Sequence, residues 1–423
     1  MDMHQKAIGE FTRHTTCRFC QSPRMLKFLD FGDVPLAGAF LTREQFASEK
    51  FYPLEVQFCQ DCTLVQVNNA IPADVLFKNY FYFSSAIQTL VTHFRDMAGE
   101  IAERFCTKGQ AFVVELGCND GVLLKPLLEL GVKCVGVDPA TNVVQSSGLS
   151  ASQIINDYFT EEVARHIRKI HGQADVIVSS FSFAHIDDMV DVMRGIQELL
   201  KEDGVFIFEV YYLGIVIDEM QYDMIYHEHM SYYSLTALMK FFARFDMEIF
   251  EVKHIPLRAG TIRFYSRKTD RGHGTISQTV KELLVYEQNN RLDKFATYQQ
   301  FAKRVEGTKL QLMDLLEGLK KAGKTVIGYG ASGRATTIMN YCGIDSRYLD
   351  YIVDDAPAKH GLYTPGTHIP IRPWPATESS PRPDYVLVFA WSFIEEVKRR
   401  RMDYLQQGGK FIVPLPEVTT ISG

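Results

Sequence analysis

The chain has 423 residues, 46% of them hydrophobic, 12% aromatic and 23% charged, with a net charge of -6 and a pI of about 6.1. This length predicts two or three domains with real cores, and the composition excludes an intrinsically disordered chain. The acidic balance and the absence of a Lys/Arg block give no footprint for a phosphate backbone, so no nucleic-acid partner is expected.

The N-terminal "MDMHQKAIGEFTRH" has no apolar core of a signal peptide, and no apolar run reaches membrane-spanning length. The expectation is a cytoplasmic protein with no membrane partner. Residues 1–75 carry short strand-like pieces, "RMLKFLDFG" and "FYPLEVQFC", on either side of the turn-rich "GDVPLAGAF". Two CxxC pairs, Cys17 with Cys20 and Cys59 with Cys62, supply four thiolates, and two such turns complete a tetrahedron around one zinc ion. Four protein ligands leave no open position, so the zinc is read as structural. The rival is four unligated cysteines; a redox role fits less well because neither pair opens a helix after a strand. Cys106, Cys118, Cys134 and Cys342 stand in apolar settings and read as small core residues.

Residues 76–270 alternate strand and helix. Strands are predicted at 111–117, 133–138, 175–180 and 204–210, with helical patterns such as "MVDVMRGIQELLK" between them. Buried strands alternating with helices predict an α/β fold with a doubly wound parallel sheet. "MEIFEVKHI" and "GTIRFYSRK" follow without a helix between them and predict a hairpin at the sheet edge. In "VVELGCNDGVLLKPL" a strand ends at Glu115, and Gly117 and Gly121 shape the turn into a helix. The next strand ends at Asp138, placed to hold both hydroxyls of a ribose, beside Pro139. This spacing differs from the dinucleotide pattern G-x-G-x-x-G, although a dehydrogenase-type nucleotide site remains the alternative.

Proton-transfer groups crowd together in "IYHEHMSYYS", Ile225 to Ser234. It puts Tyr226, His227, Glu228 and His229 just past the carboxyl end of a sheet strand, where α/β proteins bind ligands. His185, in "SSFSFAHIDD", follows another strand to the same edge and is expected to face the same cleft as His229. Acid/base work is the reading; metal binding is the rival, with no clear third ligand.

Residues 271–322 read as a helical connector with a solvated charged face. Residues 323–423 form a second, smaller α/β unit. In "VIGYGASGRATTIMN", Gly328, Gly330 and Gly333 follow a strand and open a helix, as a phosphate-binding turn does. Ser332 lies in the turn, Asp354 and Asp355 end the next strand, and Arg334 and Lys359 add positive charge. A nucleotide diphosphate and a dinucleotide both fit such a turn.

Taken in order, the four-cysteine unit, "ELGCNDG", "YHEH" and "GYGASGR…TPGTHIPI" resemble the sugar C-methyltransferases that act on C-3 of nucleotide-linked 4-keto-deoxysugars. The likeness runs over nearly the whole chain. It implies an N-terminal zinc-binding unit, a central class I S-adenosylmethionine-dependent methyltransferase sheet and a C-terminal Rossmann-like unit. Gly117, Asn119 and Gly121 would line the cofactor's methionine part, with Glu115 near its amino end. Asp157, in "INDYF", would meet the adenine amine. His229 is implied as the base that makes an enolate, Glu228 as its tuning partner, and Tyr226 and His185 as donors to the sugar. Tyr80 resembles an active-site tyrosine of the family, with Tyr82 as the neighbour that meets the cofactor; His227 is expected to be structural. The resemblance assigns Gly328, Gly330, Ser332, Gly333, Arg334, Asp354 and Lys359 to the sugar nucleotide rather than to NAD. A monomer is expected. Alternatives are a bifunctional sugar-nucleotide oxidoreductase using NAD, a nucleic-acid methyltransferase and a non-catalytic nucleotide-sugar binder.

Overall fold

The computed structural model describes residues 7–78, 80, 82–107, 111–257, 260–269, 275–374 and 382–423. Of the predicted hairpin turn "PLRAG", Arg258 and Ala259 lie outside the described residues. Among the described residues no helix is long and apolar enough to cross a membrane.

The apolar runs of the middle of the chain pair into one seven-stranded sheet. Its order is Met247–Ile255, Thr261–Lys268, Leu200–Tyr211, Ala174–Ser180, Phe112–Leu116, Lys133–Val137, Ile154–Ile155. The last five are parallel, Thr261–Lys268 joins them antiparallel, and Met247–Ile255 pairs antiparallel with Thr261–Lys268 to complete the edge hairpin. Val113, Val114, Val176, Ile177, Val178 and Phe206 are fully buried because helices cover both faces, which is why these strands read as continuous apolar runs rather than alternations. The parallel register brings the carboxyl ends at Leu116, Val137, Ser180 and Tyr211 to one edge.

The N-terminal unit is not closed on itself. Its sheet, Ala7–Ile8, Lys50–Cys59 and Val65–Val67 with Met25–Pro35 on the far side, is completed by Ser231–Tyr232. That two-residue strand follows "YHEH" directly, so the turn carrying the acid/base residues is seated where two units share a sheet.

The connector is a helix pair, Gln278–Asn289 and Phe295–Lys321. Tyr298, Phe301, Val305, Leu312 and Leu316 form its buried stripe. Its charges are not all solvated, contrary to expectation. Glu287 is buried, accepts the hydroxyls of Tyr212 and Thr236, and accepts the N–H groups of Leu235 and Thr236. A carboxylate there caps the helix Leu235–Phe242 and offsets its N-terminal partial charge.

The C-terminal unit is a six-stranded sheet in the order Ile371–Arg372, Ile352–Val353, Val326–Tyr329, Tyr385–Val388, Lys410–Val413, Thr419–Ser422. It repeats a device of the middle sheet. Gly117 N–H donates to Val137 O and Gly330 N–H to Val353 O, both at 2.8 Å. The following aspartates then hold the turns: Asp138 accepts from the N–H groups of Asn119 and Ala140, and Asp354 from those of Ala331 and Ala356.

A buried ion pair joins this unit to the middle one. Arg334 meets Asp223 through two bonds, Nε to Oδ2 at 2.8 Å and Nη2 to Oδ1 at 3.0 Å, and Asp223 is fully buried. Trp391 Nε1–H also donates to Asp223, and the guanidinium lies 4.7 Å above the Trp391 ring. The N-terminal unit touches the C-terminal one through Glu49, which accepts Gly366 N–H and pairs with His368, each at 2.7 Å. Replacing Asp223 by Ala strands the Arg334 charge, so it should cost about 3–5 kcal/mol. Thermal unfolding of Asp223→Ala checks this; an unchanged midpoint contradicts it.

Candidate active site and metal centre

At the carboxyl edge of the seven-stranded sheet lies a cavity of about 540 Å³. Of the residues expected to meet S-adenosylmethionine, Tyr82, Glu115, Gly117, Asn119, Asp138 and Pro139 line it, and so do Tyr80 and His185. Gly117 has φ +70° and Asn119 φ +51°, the left-handed turn that lets the chain swing from strand to helix. A Cβ on Gly117 would lie 2.4 Å from Ser182 Cβ. Gly121, at φ +78°, shapes the turn from just outside the lining, where a Cβ would meet Leu149. Asp157 is exposed, its carboxylate accepts the N–H of Tyr158, and it does not line the cavity; Tyr158, Phe159 and Thr160 do. The two-residue strand Ile154–Ile155 ends too early to carry residue 157 inward.

The donor set fits the sulfonium cofactor. Glu115 is buried, with Oε2 lacking a hydrogen-bond partner among the described residues. Burial, then the Asp138 and Asp120 carboxylates, push its pKa well up. A cationic ammonium group placed beside this carboxyl would favour its charged form and give the unpartnered oxygen a donor. Asp138 keeps lone pairs beyond the two backbone bonds it accepts, and it is at the strand end where a ribose sits.

The residues of "YHEH" form a β-turn, closed by His229 N–H donating to Tyr226 O at 3.0 Å, so successive side chains diverge. His227 points into the N-terminal unit, 3.2 Å from Pro53 O and edge-on to Tyr52. Glu228 accepts the Tyr80 hydroxyl at 3.1 Å. His229 Nδ1 is 2.7 Å from Met224 O. A carbonyl can only accept, so Nδ1 carries the proton and Nε2 keeps its lone pair. The His229 ring lies 4.0 Å from Tyr226, 5.2 Å from His185 and 5.4 Å from Tyr211, centroid to centroid. His229, Glu228 and Tyr226 do not line the cofactor cavity; His185 stands between His229 and that cavity's wall.

Burial moves these groups in opposite directions. It pushes His229 down to about 3, helped by the His185 and Arg334 charges, and His185 down to about 4. It lifts Glu228 to about 7, against the Tyr80 hydrogen bond. At neutral pH both imidazoles are uncharged, whereas Glu228 is close to its midpoint.

The C-terminal glycine turn reaches this place only in part. A Cβ on Gly333 would lie 3.2 Å from Ala37 and 3.9 Å from the Tyr226 ring, and the Arg334 charge acts on Tyr211, Tyr226 and His229. Ser332 caps the helix Gly333–Cys342 by accepting from Ala335 N–H. Gly328 and Gly330 pack against Ile352, Phe389 and Ala390. Asp354 is occupied by backbone N–H groups and by Lys359, whose Nζ lies 3.1 Å away and also donates to Ala331 O. Sequence reasoning missed Tyr211, at the carboxyl end of its strand, and Asp223, three residues before Tyr226. The strand-end rule that singled out His185 could have found Tyr211. It also missed the loop Leu36–Phe40, in which Gly38 approaches Glu228 and Phe40 lies under Lys359.

Cys17, Cys20, Cys59 and Cys62 place their sulfurs within 4.8 Å of one another, with 3.4 Å between Cys17 and Cys62 and 3.5 Å between Cys20 and Cys59. A zinc–sulfur bond of about 2.3 Å in a tetrahedron sets sulfurs about 3.8 Å apart, so the cluster fits zinc and leaves no open position. Metal analysis of the full chain should return zinc bound to this cluster. Cys59→Ser should empty the site and lower the unfolding midpoint; a zinc-free wild type of unchanged stability contradicts this. Gly117→Val, strained at positive φ and crowded by Ser182, should weaken S-adenosylmethionine binding at least about tenfold by calorimetry while keeping its zinc. Unchanged affinity contradicts the assigned turn.

Comparison with known proteins agrees with this arrangement along the chain. The family model "Putative zinc binding domain" matches residues 17–77, "Methyltransferase domain" residues 91–252, and "C-methyltransferase C-terminal domain" residues 256–416. The C-methyltransferase NovU of Streptomyces niveus is 34% identical over 408 residues, 96% of each chain. The ubiquinone biosynthesis O-methyltransferase of Escherichia coli is 32% identical over 112 residues, 26% of this chain and 47% of that protein. Among solved structures, magnesium protoporphyrin IX methyltransferase from Synechocystis PCC 6803 is 13% identical over 42% of this chain and 84% of that one, with a TM-score of 0.32. With a relative matched from end to end and three domain models in series, the chain belongs to the C-methyltransferase family, as an S-adenosylmethionine-dependent enzyme with an N-terminal zinc-binding domain.

Proposed function

We propose that this enzyme methylates C-3 of a nucleotide-linked 4-keto-deoxysugar through an enolate. The observation that carries this reading is His229: an uncharged imidazole whose Nδ1–H is tied to Met224 O, packed against His185 on the wall of the cofactor cavity. Carbon beside a ketone becomes a nucleophile only after losing a proton, and the enolate oxygen then needs donors. His229 Nε2 takes the proton. Tyr226, His185 and the Tyr80–Glu228 pair surround the base and supply hydrogen bonds to the sugar and to the enolate oxygen. Glu228, close to half-protonated at neutral pH, can accept or return a proton through Tyr80. S-adenosylmethionine, when bound, supplies an electrophilic methyl group to the carbon so formed. The N-terminal end of the helix Gly333–Cys342, beside Tyr226, favours a phosphate of the sugar nucleotide.

One observation favours a second assignment within this reaction. At neutral pH Glu228 is the stronger base of the two, because burial raises it and lowers His229. An oxidoreductase using NAD at the C-terminal turn has less support. Asp354, the residue that would hold the ribose, is already paired with Lys359.

Products from a panel of 4-keto nucleotide sugars, analysed by mass spectrometry and NMR, test the substrate. Deuterium washout at the carbon beside the ketone, without cofactor, tests the base. His229→Ala should slow washout by about 10²–10⁴-fold. With His229 as base, neutral well below pH 5, washout in Glu228→Gln is pH-independent between pH 5.5 and 8. If Glu228 is the base, wild-type washout rises with pH through about 7, Glu228→Gln abolishes it and His229→Ala retains it. A methyl found on oxygen, or no turnover on the panel, overturns the substrate reading.

A further inference from the structure

Side chains that form the cofactor-binding turns also reach outward, all to the same stretch of chain. Tyr158 O–H donates to Asp74 Oδ1 at 3.0 Å. Asn119 accepts Ser84 N–H at 2.9 Å and donates from Nδ2 to Tyr82 O at 3.0 Å. Asp120 accepts both the N–H and the hydroxyl of Ser85. Asn142, in the helix Thr141–Ser146 that follows Asp138 and Pro139, grips Tyr80 twice. Its Oδ1 accepts Tyr80 N–H at 3.0 Å and its Nδ2 donates to Tyr80 O at 2.7 Å. Tyr80 in turn reaches Glu228, and Phe77 from the same stretch stacks on His185 at 5.6 Å.

An amide that satisfies both backbone groups of one residue fixes that residue's position and direction together, since turning either of the two peptide units that flank it breaks a bond. Asn142 does not line the cofactor cavity, and its amide oxygen and nitrogen are both engaged with the Tyr80 main chain. We propose that Asn142 is a positioning residue: by clamping the Tyr80 main chain it sets the Tyr80 hydroxyl against Glu228 and so joins the acid/base turn to the cofactor side of the sheet. Its catalytic consequence rests on the role proposed for Tyr80 and Glu228; the clamp itself does not.

The test uses the full chain with Asn142→Ala, Asn142→Asp, Tyr80→Phe and the double variant Asn142→Ala/Tyr80→Phe. Asn142→Asp keeps the acceptor and loses the donor, and serves if Asn142→Ala folds poorly. On whichever panel sugar the wild type methylates, Asn142→Ala should lower kcat by about 10²-fold, the cost of a misplaced group. The calorimetric Kd for S-adenosylmethionine should stay close to the wild-type value, and Asn142→Asp should fall between. In the Tyr80→Phe background, Asn142→Ala should cost nothing further, because the two act as one unit. Amide hydrogen exchange with S-adenosylhomocysteine present should quicken at Tyr80 in Asn142→Ala while the Ser84 and Ser85 amides stay slow. Equal losses in both backgrounds, an affinity loss matching the kcat loss, or unchanged exchange at Tyr80 overturns the assignment. If the wild type methylates no panel sugar, the substrate reading fails, and exchange at Tyr80 still decides for or against the clamp.

Discussion

In the proposed mechanism an imidazole takes a proton from carbon, which requires an aimed lone pair and an uncharged ring, and His229 in the turn Tyr226–His229 meets both requirements. The bond from Nδ1–H to Met224 O fixes the tautomer, and burial among aromatic rings holds the ring neutral. The same burial raises Glu228, one residue away. One dry environment therefore displaces a base and an acid in opposite directions, which is how neighbouring groups come to divide proton-transfer work. Burial also weakens His229 as a base. In the proposed enolate mechanism such a weak base suffices only where the enolate oxygen is strongly stabilised, so the donors around it would matter as much as the ring itself.

Keeping that turn dry is a task shared by all three units. Ser231–Tyr232, directly after it, pairs with the N-terminal sheet, and His227 anchors to Pro53. On the other side, Asp223 binds Arg334 of the C-terminal unit, and Thr337 donates to Ile225 O. The zinc cluster acts at a distance: it closes the Cys59 end of the strand Lys50–Cys59, whose neighbour Val65–Val67 receives the shared strand. A small β-unit of this size has little apolar core to spare, and four metal bonds replace what the core lacks.

Much of this fold is legible from periodicity alone. The parallel strands were marked by unbroken Val/Ile/Phe runs, because burial on both faces removes alternation, and the antiparallel hairpin by the missing helix between "MEIFEVKHI" and "GTIRFYSRK". The cysteine spacing carried the metal cluster. What escaped was whatever depends on contacts between distant segments. A two-residue strand such as Ser231–Tyr232 has no period to detect. Glu287 looked like one more charge on a solvated helix, yet it caps a helix from another unit. In the candidate site, the sequence rule that ligands sit at strand ends put His185 and Asp138 at the sheet edge where the cavity lies. The resemblance put Asp157 at the adenine side, whereas Asp157 is exposed and its neighbour Tyr158 is the residue that lines the cavity. Lys359 and Asp354 were both noted, but only the fold shows that they satisfy each other.

The most direct measurement is a crystal structure of the enzyme with S-adenosylhomocysteine and the nucleotide sugar it accepts. The account predicts the sugar seated between the cofactor cavity and the turn. The hydrogen-bearing carbon beside the ketone should then face His229 Nε2 at proton-transfer distance, with Tyr80, His185 or Tyr226 on the ketone oxygen. A sugar that leaves His229 shielded behind His185, with another group or only water at that carbon, would contradict it.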